Sequence, residues 1–255
     1  VHFAGEPVDR KNLEYLGEKY NVFILEDAAH ATETISFLES IKNENYAIAL
    51  SFYANKNITS GGEGGALVTN NKDLSLDIRK LSLHGMSKDG WNRFKLSGKW
   101  KYDVSELGYK YNMNDISASF GLQQLRHISE WHQRRFQIVK KYIGGLINIS
   151  GIICPNIDND KHSWHLFILQ LRLDMWKISR DLVIEKLNEK GIGTSVHYIP
   201  IHMHSYYIKK YKFKDNDFPN SNRYANSVVS LPLYPLLNDN EIDYIIDIIN
   251  KLWKK

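Results

Sequence analysis

Apolar residues follow two kinds of pattern along the chain. Leu13, Leu16 and Tyr20 share one helical face behind Asp9, which predicts a capped helix through about Tyr20. The continuous run Val22-Phe-Ile-Leu25 then reads as a buried strand, as do the short runs Ala47-Ile-Ala-Leu-Ser-Phe52 and Ala66-Leu-Val-Thr69. Helix followed by buried strand is α/β grammar. Residues 74–83 are expected to be helical. A single long helix is expected over about 114–142, where Leu122, Leu125, Ile128, Trp131, Ile138 and Tyr142 recur at spacings of three, four or seven. Between these helices, 84–111 is polar and aromatic without clear period, as a functional loop would be.

After Gly144-Gly145 the pattern resets, which suggests a boundary between 1–143 and 144–255. A strand is expected over about 164–173, then a helix from Ser179 stopped by Gly191, and a short strand at Thr194-Ser-Val-His197. The last helix carries Ile242, Ile245, Ile246, Ile249 and Leu252 on one stripe behind the capping box Asn238-x-x-Glu241.

Composition narrows the class. With 43% hydrophobic and 24% charged residues in 255, the chain is expected to fold as an ordinary soluble protein. A formal charge of +4 is too mild to indicate a nucleic-acid partner or a membrane surface. The lone Cys154 fits a reducing cytoplasm. No apolar run approaches the ~20 residues that span a bilayer. Residue 1 is Val, not Met.

The candidate chemistry is ambiguous residue by residue. Asp27 and His30 follow a buried strand, where α/β ligands collect, yet a loop cap and a surface histidine fit as well. Lys56 follows another strand, where desolvation would make its amine nucleophilic, but it is one of 24 lysines. Gly61-Gly-Glu-Gly-Gly65 reads as a phosphate nest or, more simply, as a turn before a strand. His197, His202 and His204 lack the companions of a metal site, and none is expected. Trp91, Trp100, Tyr102, Tyr109 and Tyr111 suit a nucleotide-sized ligand or a subunit interface.

The order of these segments is more specific than any one of them. Asp27-Ala-Ala-His30, Ser51-Phe, Lys56-Asn-Ile-Thr, Glu63-Gly-Gly, His84-Gly and Gly108-Tyr-Lys-Tyr-Asn-Met-Asn-Asp115 resemble, in that succession, the DegT/DnrJ/EryC1/StrS aminotransferases. Trp164-His-Leu-Phe, Gly191-Ile-Gly-Thr-Ser-Val-His197-Tyr-Ile-Pro200 and Ser230-Leu-Pro-Leu-Tyr234 extend the resemblance over essentially the whole chain. It implies the α/β fold of pyridoxal-phosphate (PLP) transferases, aspartate-aminotransferase-like, with an incomplete large-domain sheet and a smaller α+β C-terminal domain. It implies amino transfer, usually from glutamate, to a nucleotide-linked keto-sugar for surface polysaccharide synthesis, with the wording around Lys88-Asp89-Gly-Trp91-Asn-Arg93 pointing to the 4-keto branch.

Position by position, the resemblance makes Lys56 the lysine that holds PLP covalently and shuttles the proton. Asp27 matches the carboxylate facing the pyridine nitrogen, His30 the residue beside the ring, and Ser51 a hydroxyl on the cofactor phosphate. Asn112 matches an asparagine sent to the neighbouring subunit's cofactor, so a homodimer with shared sites is implied. His84, Trp91, Tyr111, His197 and Tyr198 are candidate substrate residues. Neither nucleic acid nor membrane is an expected partner.

Two departures stand out. Relatives carry on the order of a hundred residues before the point matching Val1, a domain's worth. The stretch 33–46 also lacks the glycines usual there. The competing expectation is therefore a truncated, catalytically inactive remnant that acts at most as a dimerising module.

Overall fold

The computed structural model describes residues 1–37, 41, 43–86, 102–158 and 161–254. Trp91, Trp100 and the 88–93 wording lie outside the described residues. Contacts divide the chain into two units, 1–3 with 7–128, and 4–6 with 129–255.

In the first unit, β1 (Ile24–Asp27) pairs in parallel with β2 (Tyr46–Ser51), and β2 pairs antiparallel with β3 (Gly65–Thr69). Helix α1 (Arg10–Tyr20) starts where Asp9 accepts the Asn12 amide at 3.2 Å and ends at left-handed Asn21. Helix α2 (Thr32–Phe37) follows β1, and α3 (Lys72–Leu81) follows β3 under an Asn71 cap. Ala28, Ala31, Ile41, Tyr46 and Ile48 form the core, with Leu13, Ile24, Ile35 and Leu50 against them.

The expected helix over 114–142 is two helices, α4 (Asp115–Arg126) and α5 (Ile128–Leu146). They break at His127, whose backbone (φ −101°, ψ 1°) leaves the helical region while its amide bonds Gln124 O at 3.0 Å, a tightened final turn. The boundary expected at Gly144 falls inside α5, whose Ile138, Val139, Tyr142 and Leu146 are core residues of the second unit.

That second unit has an antiparallel sheet, β4 (Ile152–Ile153), β5 (Phe167–Leu171) and β6 (Val228–Leu231), with β5 central. Helices α6 (Arg180–Glu189), α7 (Ser205–Tyr211), α8 (Pro219–Ser227) and α9 (Asp239–Lys254) accompany it. The predicted capping box opens α9, with Asn238 N–H donating to Glu241 Oε2 at 2.9 Å and Glu241 N–H to Asn238 Oδ1 at 3.0 Å. The strand expected at 194–197 is reduced to one bridge, Ser195 with Ser230, because only that residue reaches β6.

Candidate active site

Because β1 and β2 run parallel, their carboxyl ends emerge on one side of the sheet, with Asp27 level with Ala49 and Ser51 two residues beyond. The chain after Ser51 is a closed loop. Phe52 N–H bonds Gly64 O at 2.8 Å, Ser60 N–H bonds Phe52 O at 3.0 Å, and Lys56 N–H bonds Tyr53 O at 3.0 Å. Asn57 donates to Glu33 Oε1 of α2 at 2.8 Å, Gln124 Oε1 of α4 accepts the Thr59 amide at 3.0 Å, and Ile58 is buried beneath. Lys56 is therefore half-buried on an anchored loop.

Burial lowers the Lys56 ammonium below its ordinary pKa, and the negative charge of Asp27 opposes that shift. The two residues thus sit within each other's field, a desolvated amine beside a carboxylate. Asp27 Oδ1 accepts the Ala29 amide at 3.0 Å, and among the described residues its Oδ2 accepts nothing. The group is exposed and available to a cation.

The preceding residue is its opposite. Glu26 is 2% exposed and accepts Arg10 Nε at 2.7 Å, Arg10 Nη2 at 3.2 Å, the Tyr46 hydroxyl at 2.5 Å and His2 Nε2. His2 Nδ1 accepts the Val8 amide at 3.3 Å, which leaves Nε2 to donate to Glu26. Burial alone would raise the Glu26 pKa. The hydrogen bonds from His2, Arg10 and Tyr46 outweigh that and hold it down at about 2. His2 N–H also bonds Asp27 O at 2.9 Å, so this cluster fixes the backbone that presents Asp27. Sequence reasoning missed it; the available signal was the Glu-Asp pair at a strand end, whose side chains must face opposite ways.

His30 is half-buried with its ring tilted toward Phe3 at 6.4 Å. The Ser51 hydroxyl accepts the Tyr53 amide at 3.3 Å and leaves its own hydrogen for a ligand. The glycine run is structural: a Cβ on Gly65 would lie 2.7 Å from Leu50 O, and one on Gly64 2.1 Å from Ser60 Oγ.

Asn112 follows the glycine run and the 102–111 segment in a cavity lining of its own. It lines an open cavity of about 820 Å³ with Gly65, Arg79, Lys110, Tyr111 and Ser117, and that lining excludes Lys56, Asp27, His30 and Ser51. Lys110 Nζ donates to Asn112 Oδ1 at 2.5 Å, and Tyr111 stacks on Tyr109 at 5.0 Å. His84 is held nearby in a left-handed conformation (φ 59°), its N–H on Tyr109 O at 2.7 Å.

His197 and Tyr198 lie in the second unit. His197 Nδ1 is 2.7 Å from Ser230 Oγ, and the half-exposed Tyr198 ring meets the His197 ring edge-on at 4.8 Å. His202 is spent on Asn222 Oδ1 at 2.6 Å. No helix among the described residues is long and apolar enough to cross a membrane.

Comparison with known proteins addresses the fold and the family. The chain is 41% identical over 256 residues to spore coat polysaccharide biosynthesis protein SpsC of Bacillus subtilis, covering 100% of this chain and 66% of that protein. Its fold matches the putative sugar aminotransferase Spr1654 from Streptococcus pneumoniae in PMP-form, with a TM-score of 0.84 and 30% identity over 99% of this chain and 68% of the other. DesV of S. venezuelae matches with a TM-score of 0.83 and 27% identity, over 100% of this chain and 64% of that one. The chain therefore spans about two thirds of these proteins' length, with the α/β fold of PLP-dependent sugar aminotransferases. A family model matches residues 1–250, and the chain belongs to the DegT/DnrJ/EryC1/StrS aminotransferase family.

Proposed function

We propose that the chain provides the lysine-bearing part of a PLP-dependent aminotransferase that moves an amino group, from glutamate, onto a nucleotide-linked 4-keto-sugar for surface polysaccharide synthesis. The observation that carries this is the pairing of Lys56 with Asp27, an amine depressed by burial beside a carboxylate with an unspent oxygen.

The residues fit the cofactor. Lys56 would hold its aldehyde carbon through the side-chain amine, Asp27 would face its ring nitrogen with an anion, Ser51 would offer a hydroxyl donor to its phosphate, and His30 would flank the ring. When bound, PLP supplies an electron sink for the carbon whose bond to hydrogen breaks. The chain's own contribution is to hold that ring through Asp27 and to take and return the proton at Lys56 Nζ. Solved neighbours in PLP- and PMP-forms support the cofactor, and the SpsC likeness supports a role in polysaccharide synthesis.

Asn112 does not share a cavity lining with Lys56, and its proposed role is toward a neighbouring subunit's cofactor, in a homodimer with shared sites. His84, Trp91, Tyr111, His197 and Tyr198 are the proposed sugar-nucleotide contacts. The large and small domains are proposed as 1–143 and 144–255, whereas the contacts divide the chain before Ser129. The lone Cys154 supports a cytoplasmic setting.

Titration with PLP tests the reading. The native chain gains a visible absorbance band and a higher Tm, and Lys56→Ala abolishes the band. A native chain that binds no PLP would instead identify the inactive, dimerising remnant.

A further inference from the structure

All four residues of β6 are buried, and Ser230 is 5% exposed. Its backbone is occupied, with N–H donating to Ser195 O at 2.8 Å and O accepting Ser195 N–H at 3.2 Å. Its hydroxyl lies 2.7 Å from His197 Nδ1.

Two arrangements fit that distance. If Nδ1 carried the ring hydrogen, it would donate to Ser230 Oγ and the buried hydroxyl hydrogen would have no acceptor. If the hydroxyl donates to Nδ1, both groups are satisfied. Among the described residues Nδ1 is the acceptor within reach of Ser230 Oγ, and buried donors are rarely left unpaired.

We infer that Ser230 is a positioning residue whose hydroxyl fixes His197 as the neutral tautomer protonated at Nε2. Ser230 acts through His197, with the Tyr198 ring edge-on against the imidazole. The fixed Nε2–H is a neutral donor suited to an oxygen acceptor, a sugar hydroxyl, a carbonyl or a phosphate oxygen. Its role toward substrate rests on the sugar-aminotransferase reading, whereas the tautomer does not.

Long-range ¹H–¹⁵N spectra of the histidine-labelled chain, recorded above the imidazole pKa, read the tautomer directly, with His197→Gln identifying the peaks. The native chain should show Nε2 protonated and Nδ1 bare. Ser230→Ala should give a mixture, and Ser230→Thr should restore the single form. A native spectrum with Nδ1 protonated overturns the inference, and so does a Ser230→Ala spectrum identical to native. The native spectrum decides the point even if Ser230→Ala fails to fold.

With the PLP-loaded chain and a nucleotide-linked keto-sugar, Ser230→Ala should raise KM for the sugar about tenfold, with kcat within about twofold, a split expected when ground-state binding is lost. Ser230→Thr should recover KM; a loss as large as that of Ser230→Ala would remove the substrate role. A native chain without activity but with the expected tautomer would sink the functional reading alone.

Discussion

Consecutive side chains of a β-strand leave on opposite faces, so Glu26 enters the first unit and Asp27 leaves it. Burial and full hydrogen bonding commit Glu26 to structure; exposure and an unspent oxygen leave Asp27 for chemistry. Holding Glu26 at about 2 instead of its ordinary 4.5 is worth about 3 kcal/mol of folding stability. Because the folded pKa is the lower one, that stability is present above pH 4.5 and drains away as pH falls toward 2. Urea melts from pH 6 to 2.5 should show this loss, and Glu26→Gln should flatten it. The Gln variant should also be about 3–5 kcal/mol less stable at pH 7, since Arg10 is left buried without its counter-charge. Asp27→Asn acts in the other direction. Asp27 supports the charged form of Lys56, so its removal should move the pH midpoint for PLP capture downward while weakening PLP affinity on the order of tenfold. An upward midpoint would show that the two groups are not coupled.

Two glycines govern the element that carries His84 and Tyr111. A Cβ on Gly108 would stand 2.1 Å from Gly85 N and 2.5 Å from His84 C, and one on Gly85 would meet Glu106 O at 1.9 Å. The two backbones cross at a distance only glycine permits. Gly108→Ala should cost about 1–3 kcal/mol in thermal or urea melts. In α5, a Cβ on Gly144 meets nothing within 4 Å, so Gly144→Ala should instead add about 0.5–1 kcal/mol. Equal effects at the two positions would refute the crossing as the cause. The same distinction explains what could be read without the structure. Caps at Asp9, Ser179 and Asn238 are local chemistry and were legible. The break at His127 was not, because the apolar stripe runs through it. Neither β4 nor β6 was legible: β4 has two residues, and both strands take their partner from β5, distant in sequence from β6 and across a long loop from β4. Motif order singled out Lys56 and Asp27, which the fold brings within each other's field, whereas the partners of Glu26 come from positions 2, 10 and 46 and meet only in the fold.

At the scale of the molecule, helix α4 among the described elements leaves large apolar side chains without cover. Its twelve residues include no buried one, although Ile116 is 83% exposed, Leu122 62%, and Phe120 and Leu125 47% each. Pairs at i,i+4 (Ile116, Phe120) and i,i+3 (Leu122, Leu125) make apolar ridges, and burying such side chains is worth about 1.5–3 kcal/mol each. A second copy is the occupant that the proposed site requires, because Asn112 stands two residues before the α4 cap, Asn114. Packing through α4 would carry Asn112 toward the neighbouring protomer. Sedimentation equilibrium should therefore show a dimer at micromolar concentration. Replacing Ile116 and Leu122 together by Glu should weaken association at least about a hundredfold, since two lost apolar contacts remove about 3 kcal/mol or more. The same variant should lower PLP affinity, because Asn112 would no longer reach the partner's cofactor. A chain that stays monomeric at every concentration yet binds PLP with the affinity of the native chain would refute the shared site.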